Sequence, residues 1–183
     1  MIETLDELVD ILDEKGNYIG KTAMKSKAHL LGLFHPTVHV WCYSKNGMVL
    51  LQQRGANKST HPLKWDVSVA GHIGAGETPG IGAHREVQEE IGVVIDSSKL
   101  QKIGVFKIEK RHSETIWDRE FTHTFLYELD ENRILNRQES EVEALEWVSL
   151  KDFEEMVANE DERFVPSSTN RYQKVIQEIK SRL

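Results

Sequence analysis

The chain of 183 residues has a single cysteine, Cys42, and lacks any long apolar run. One cysteine excludes an intramolecular disulfide and fits a reducing compartment. No segment approaches the roughly 20 apolar residues that a membrane-spanning helix needs. The first residues, Met-Ile-Glu-Thr-Leu-Asp-Glu, also lack the basic and apolar regions of a secretory signal. These absences predict a cytoplasmic protein.

Positive charge is also in short supply, because 30 acidic residues outnumber 23 basic ones and give a formal net charge of -7. Such a surface disfavours extended nonspecific binding to nucleic acid, so we expect no nucleic-acid partner. A length of 183 residues with 39% hydrophobic content suits one substantial core. We therefore predict a single domain over residues 1–183, as a monomer or homodimer.

Strand and helix patterns alternate along the chain and predict an α/β fold. An Asn-Gly pair at 46–47 indicates a hairpin between two β-rich runs. The predicted strands cover an N-terminal hairpin at about 9–22 and the segments 37–44, 48–53, 66–70, 102–109, 118–129 and 142–148. The predicted helices cover 24–31, 79–91, a segment that begins at Ser149, and an amphipathic C-terminal stretch at about 169–183.

The predicted helix 79–91 has well-marked ends. Thr78 is a good N-cap, Pro79 suits the first helical position, and Gly92 suits a left-handed C-cap. At about 100° per residue, one side of this helix is an apolar stripe and the adjoining side carries three carboxylates. The stripe consists of Ala83, Val87 and Ile91, and the carboxylates are Glu86, Glu89 and Glu90.

The three glutamates are candidates for binding a divalent cation. A solvated acidic face is the ordinary explanation of such a charge run. Here, however, Gly82 lies on the carboxylate side, although a glycine inside a helix costs roughly 1 kcal/mol relative to Ala. A missing side chain at Gly82 would leave space for a ligand, and a bound cation would offset the repulsion between carboxylates three and four residues apart.

The spacing of residues 71–93 resembles the signature of the Nudix hydrolases. Gly71 is followed after five residues by Glu77, then after seven by Arg85-Glu86-Val87, by Glu89-Glu90 and by Gly92-Val93. This resemblance implies a Nudix-type α/β/α sandwich with a mixed sheet. It also implies an Mg²⁺-dependent enzyme, with Mn²⁺ as a substitute, that cleaves a nucleoside diphosphate linked to another group.

The same resemblance implies roles for the motif residues. Glu86 and Glu90 would be the principal metal ligands, and Glu89 a further ligand or the base that positions water. Glu77 and Arg85 would support catalysis through structure, since a charge-assisted, bidentate bond between them would fix the loop against the helix.

Substrate and proton contacts are predicted outside the carboxylate array. Glu89 or Glu120 is the candidate general base, and Glu139, Glu141, Glu143 and Glu146 are others in a segment that also fits a solvated loop. The backbone at Gly71, Gly74 and Gly76 can approach phosphate closely. Substrate binding is assigned to Gly71, His72, Arg54 and Lys64, with Lys58 as a further donor. Each basic residue also fits an ordinary surface charge.

The flanking sequence resembles one Nudix branch, the proteins similar to isopentenyl-diphosphate isomerase. The residues that carry this likeness are His29–His35, Val38–Trp41 and above all Trp65–His72. In the isomerases the residue before Gly-His is a cysteine that moves a proton, whereas here it is Ala70. Cys42 shares a strand face with Val38 and Val40, so it fits a buried core thiol and does not replace the missing cysteine.

The isomerase likeness also implies a second divalent-metal site. Its candidate ligands are His29, His35 or His39, His72, Asp118 and Glu120; a loop or partly buried polar position is the alternative for each histidine. Trp65 and Trp117 fit either base stacking or the core. We therefore expect a pyrophosphate-cleaving hydrolase acting on a small-molecule diphosphate, with an isomerase-like enzyme and a non-catalytic metabolite-binding module as alternatives.

Overall fold

The computed structural model describes residues 6–183. Its strands are β1 (Leu8–Leu12), β2 (Tyr18–Met24), β3 (His35–Tyr43), β4 (Met48–Arg54), β5 (Trp65–Asp66), β6 (Val69–His72), β7 (Gln101–Arg111), β8 (Trp117–Glu128) and β9 (Val142–Ser149). Its α-helices are α1 (Lys25–Leu31), α2 (Pro79–Ile91), α3 (Leu150–Ala158) and α4 (Arg171–Lys180), and a short 3₁₀ turn covers Ser97–Lys99.

Seven strands form one mixed sheet around β3. β8 runs parallel to β3 along its whole length, with His35 opposite Glu120, and β7 then pairs antiparallel with β8. On the other side of β3, β6 pairs with β3 and β5 pairs with β4, while β9 covers the far side of β4. The sheet therefore mixes one parallel pair with antiparallel pairs, as predicted.

Helices cover both faces of this sheet. Val38, Val40 and Cys42 pack in one core cluster, which contains the apolar stripe of α2. Trp41 and Tyr43 pack in another cluster, with Phe153 of α3 and the apolar side of α4. Because successive residues of β3 point to opposite faces, α2 lies on one face and α3 and α4 lie on the other. The predicted α/β/α sandwich is confirmed.

β1 and β2 form a separate two-stranded hairpin across the segment where the sequence predicts one. Val9 bridges Gly74, and the Ala75 N–H donates to the Leu8 carbonyl at 2.8 Å. Val9 and Ile11 also bury their side chains against Ala28 of α1. The hairpin thus joins the glycine loop before α2 to α1.

Across residues 6–183, none of the helices combines the length and the apolar character that crossing a membrane requires.

Gly32 ends α1 in the left-handed conformation, with φ of 59°. A Cβ at this position would overlap the indole ring of Trp117. Gly32 therefore allows both the sharp end of α1 and the close approach of β8, and this geometry places His29 of α1 beside β8.

Gly32→Ala should lower the free energy of unfolding by about 3 kcal/mol, since a left-handed alanine costs roughly 1–2 kcal/mol and overpacking adds roughly 1–3 kcal/mol. Gly20→Ala is the matched control: Gly20 has φ of 74°, but its Cβ would meet nothing within 4 Å, so only the backbone cost applies. Urea denaturation of both variants measures the difference. Equal losses would refute the role of the Trp117 contact.

Candidate active site

A cleft of about 1120 Å³ opens at the start of β3. The cleft is lined by residues of α1, β3, β5, β6, α2, β7 and β8 and of the first turn of α4. The carboxylates of α2 and the predicted histidine ligands His29 and His72 face the same space. The fold therefore brings the two groups of predicted ligands into one cleft.

The carboxylates of α2 are not a solvated acidic face. Glu86 is 7% exposed and Glu90 is 3% exposed, whereas the side chain of Glu89 is half exposed. Glu90 Oε2 accepts hydrogen bonds from Gln52 Nε2 at 2.8 Å and from the Ala70 N–H at 3.1 Å. Both donors hold the Glu90 carboxylate at the cleft wall.

Arg85 ties the glycine loop to α2. Its Nε and Nη2 donate to the two carboxylate oxygens of Glu77, each at 3.0 Å, so the predicted bidentate bond is present. Nη2 also donates to the His72 carbonyl at 2.8 Å, and Glu77 Oε2 accepts from the Gly74 N–H at 2.8 Å. The bond from Arg85 lowers the pKa of Glu77, so this carboxylate stays charged.

The same guanidinium reaches two of the candidate ligands. Arg85 Nη1 donates to Glu86 Oε1 at 2.8 Å and to Glu89 Oε2 at 3.1 Å. Burial nevertheless raises the pKa of Glu86 to about 7. Burial and the neighbouring Glu86 raise the pKa of Glu90 to about 8. A cation at this site would compete with protons for two buried carboxylates.

The space at the carboxylate site comes from Gly71 and not, as the sequence predicted, from Gly82. A Cβ on Gly82 would lie 3.2 Å from Ile73 Cγ1, so this glycine allows the loop to pack on the helix, and the expected clearance for a ligand is wrong. Gly71 provides the clearance at the site, because a Cβ there would overlap the carboxyl group of Glu86. Gly71 thus makes room for a carboxylate.

A second group of candidate ligands comes from α1, β3, β6 and β8. One ligand atom from each of His29, His35, His72 and Glu120 falls within 4.8 Å of the others. Nε2 of His29 lies 3.2 Å from Nε2 of His72, and Nε2 of His35 lies 3.8 Å from Glu120 Oε1. His35 Nε2 is buried and has no hydrogen-bond partner within residues 6–183. These four residues, called the histidine cluster below, have a donor set that fits a divalent metal.

Neighbouring groups orient the rings of the histidine cluster. Nδ1 of His35 donates to the Leu33 carbonyl at 2.8 Å, which leaves its Nε2 facing the cluster. Nδ1 of His29 lies 3.1 Å from Asp118, whose other oxygen lies 2.8 Å from Nε2 of His112. Asp118 is therefore placed to orient His29 rather than to bind a metal itself, the outer role that metal-binding histidines commonly require.

The protonation of the cluster follows from its surroundings. Burial lowers the pKa of His35 to about 4, and burial together with His35 lowers that of His72. Burial also opposes the charged form of His29, but Asp118 and Glu120 outweigh it and raise its pKa. Burial and the nearby Asp118 raise the pKa of Glu120 to about 7. His35 and His72 are thus neutral at physiological pH, as ligands must be.

The structure separates the alternatives left open for the histidines. His39 is buried in the middle of β3 opposite Ala70 and lies outside the histidine cluster, whereas His35 belongs to it. His29 and His72 are partly buried, as the alternative for them describes, and both join the buried His35 in the histidine cluster.

The predicted basic and aromatic contacts are only partly present. Arg54 and Lys58 line the cleft, but Arg54 already donates to Thr60, and Lys58 pairs with Glu141 at 2.5 Å. Lys64, in contrast, is absent from the residues that line the cleft, as are Trp65 and Trp117. Trp65, in β5, packs against the core, and Trp117 stacks with Arg119. Of the two alternatives for the tryptophans, the core therefore fits Trp65, and neither indole lines the cleft.

Sequence reasoning missed further residues in and beside the cleft. Lys25 and Arg171 line it, and Gln52 fixes Glu90. Gln52 had a weak signal, since it directly follows four apolar residues of its strand, where a buried amide needs hydrogen-bond partners. Lys25 and Arg171 had none, because their access to the cleft depends on how α1 and α4 pack.

Comparison with known proteins agrees with this geometry. The model of the NUDIX domain matches residues 33–167, which is more than half of the chain. The chain belongs to the Nudix family. The predicted resemblance is thereby confirmed.

Named relatives come from both the hydrolase and the isomerase groups. "Nudix hydrolase 3" of Arabidopsis thaliana is 32% identical over 97% of this chain, but the match spans only 24% of that protein. An uncharacterised Nudix hydrolase of Clostridium acetobutylicum is 38% identical over 67% of this chain and 59% of its own length. An isopentenyl-diphosphate isomerase of Photorhabdus laumondii is 29% identical over 85% of this chain and 84% of its own length.

Solved structures share the fold. A protein of Deinococcus radiodurans superposes with a TM-score of 0.66 at 19% identity, covering 94% of this chain and 98% of its own. The MutT protein of Methanosarcina mazei superposes with a TM-score of 0.59 at 22% identity, covering 81% and 94%. Both show the architecture alone.

Gly71→Ala should weaken Mn²⁺ binding at least tenfold, because the new methyl group displaces the Glu86 carboxylate. Gly80→Ala, on the helix that carries Glu86, is the control, since a Cβ there meets nothing within 4 Å. Isothermal titration of both variants with Mn²⁺ measures the effect. Unchanged affinity in Gly71→Ala would show that the contact with Glu86 does not govern metal binding.

Proposed function

We propose that this protein is an Mg²⁺-dependent hydrolase that cleaves the diphosphate bond of a nucleoside-diphosphate-linked or related small molecule. The main support for this proposal is the pair of buried carboxylates, Glu86 and Glu90, that face the cleft beside Gly71. Buried carboxylates with raised pKa values are costly for a merely structural role and are typical of functional sites.

Glu86 and Glu90 would hold Mg²⁺, with Mn²⁺ as a substitute, since hard cations prefer oxygen ligands. When bound, such an ion neutralises charge on the diphosphate and increases the acidity of water at the site. Arg85 keeps Glu86 and Glu89 aimed at one point, and Gln52 does the same for Glu90.

The histidine cluster would hold a second divalent ion. Three imidazoles and one carboxylate suit a transition metal such as Mn²⁺ or Zn²⁺, and the unpartnered Nε2 of His35 supports this assignment. With Glu120 committed as a ligand, proton abstraction from the attacking water falls to Glu89. Glu89 lines the cleft with its side chain half exposed, where water can reach it.

Basic residues and backbone groups around the cleft would bind the diphosphate. Lys25, Arg54 and Lys58 line it together with Gly71 and His72. Lys58 is paired with Glu141, so an incoming phosphate would exchange one anionic partner for another. The cleft volume of about 1120 Å³ is at the large end for small-molecule sites.

An isomerase-like reaction is the second candidate, favoured by the histidine cluster. Ala70 stands at the cleft where the isomerases carry their cysteine, and a methyl group can neither give nor take a proton. Cys42 does not substitute, because it is buried in the core and burial raises the pKa of its thiol to about 12. These two residues favour hydrolysis over isomerisation.

The roles of the two candidate bases can be separated by substitution. Glu89→Gln should lower kcat at least 100-fold while the protein keeps its tightly bound metal. Glu120→Gln should instead remove metal from the histidine cluster, which elemental analysis of the purified variant detects. If Glu120→Gln retains that metal and loses only kcat, the two assignments are reversed.

Mg²⁺ binding should strengthen as pH rises. Without metal, folded Glu90 keeps its proton to about pH 8, whereas the ordinary pKa is 4.5, so stability should fall as pH rises from about 5 to about 8. Mg²⁺ replaces these protons, so it should raise Tm more at pH 8.5 than at pH 6. In Glu90→Gln, the fall in stability with rising pH and the pH dependence of the Mg²⁺-induced rise in Tm should both be smaller. A wild-type Mg²⁺ shift that is equal at both pH values would contradict the assignment.

Product detection by mass spectrometry, with and without Mg²⁺, tests the reaction across a panel of diphosphate compounds that includes isopentenyl diphosphate. Metal-dependent cleavage of a member into two products is the expected result. Conversion of isopentenyl to dimethylallyl diphosphate would support the isomerase instead. Mg²⁺-dependent binding with no product from any member would indicate a metabolite-binding module.

A further inference from the structure

Arg171, the first residue of α4, carries a buried guanidinium in the cleft. It is 6% exposed, yet it lines the cleft beside residues 165–168. Its Nη2 donates to the Tyr172 hydroxyl at 3.1 Å, and that hydroxyl donates to the Val165 carbonyl at 2.8 Å. Its Nε is buried without an acceptor in the described part of the chain. Most of its five N–H groups therefore have no protein partner.

No carboxylate of residues 6–183 forms an ion pair with this guanidinium within 4.0 Å. Asp66 and Glu120 are close enough to stabilise its charge, but both have other partners. Asp66 pairs with Arg54 at 3.4 Å, and Glu120 belongs to the histidine cluster. Neither carboxylate therefore serves Arg171 alone. A buried cation normally has its own counterion in contact, whereas Arg171 is stabilised by these more distant carboxylates, which leaves its remaining N–H groups available to an anion in the cleft.

The position of Arg171 distinguishes it from the metal-binding carboxylates. α4 packs on the face of the sheet opposite to α2, so Arg171 approaches the cleft from the other side. The guanidinium carbon lies 4.9 Å from the centre of the Tyr172 ring, which holds its plane in place. It also sits at the positive end of the α4 dipole, where an anion is favoured. Glu86, Glu90 and Arg171 nevertheless line the same cleft, so one ligand can face both walls.

We propose that Arg171 binds a second anionic group of the substrate, a phosphate monoester or a carboxylate distinct from the diphosphate that is cleaved. This inference rests on the proposed hydrolase function for the identity of the rest of the substrate. It narrows the substrate class to diphosphate compounds that carry a further acidic group.

Binding of simple anions tests the site without catalysis. Wild type, Arg171→Met, Arg171→Lys and the exposed control Arg163→Met are titrated with inorganic phosphate and, separately, with acetate, in EDTA. We expect saturable binding of at least one anion, at least tenfold weaker in Arg171→Met, partly restored in Arg171→Lys and unchanged in Arg163→Met. The stronger of the two anions identifies the chemical group. Equal affinity in wild type and Arg171→Met, or no saturable binding, overturns the proposal.

Stability and kinetics separate this role from a structural one. If Arg171 serves the ligand, Arg171→Met should leave Tm nearly unchanged, because Met keeps the buried apolar stem and the guanidinium donates a single hydrogen bond within residues 6–183; a large fall in Tm would show a structural role instead. If phosphate is the stronger anion, wild type should prefer NADPH over NADH, which lacks one phosphate, through KM, and Arg171→Met should lose that preference with kcat unchanged. Loss of hydrolysis on every compound would refute the proposed function while leaving the anion titration interpretable.

Discussion

The site depends on the guanidinium of Arg85. One side of it holds both oxygens of Glu77 and the carbonyl of His72, which fixes the glycine loop. The other side bonds Glu86 and Glu89. Without this cation, four acidic or carbonyl groups would face one another in a half-buried space, where like charges repel more strongly than in water. Loop position, helix register and carboxylate direction are therefore consequences of a single charge.

Two neighbouring residues of β6 connect the carboxylate array to the histidine cluster. Gly71 gives the Glu86 carboxyl group its space, and His72 contributes its ring to the cluster. Because both lie on one short strand paired with β3, the spacing between the two groups is set by backbone hydrogen bonds rather than by mobile side chains. A rigid spacing of this kind suits a reaction in which two ions act on one diphosphate.

Local patterns predicted the helix and its ends because each signal there acts within one or two turns. Thr78 caps the start of the helix with its side chain, Pro79 is its first residue, and Gly92 ends it in the left-handed conformation. The histidine cluster was harder, since His29 and Glu120 meet only through the packing of α1 on β8. The prediction that Gly82 leaves space for a ligand was wrong for a related reason. Helix geometry places Gly82 on the carboxylate side, but only the folded loop shows that Ile73 occupies the space beside it.

Ala70 shows how one side chain can distinguish hydrolysis from isomerisation on the same fold. Its N–H donates to Glu90, and its partner across the sheet is His39, so its backbone serves the metal-binding side, and the residue lines the cleft. Under the proposed function, both ligand groups remain while the one side chain able to move a proton at carbon is absent. Since water then remains as the nucleophile and the carboxylates of α2 remain to bind the diphosphate, the same scaffold is left with hydrolysis as the reaction its residues can support.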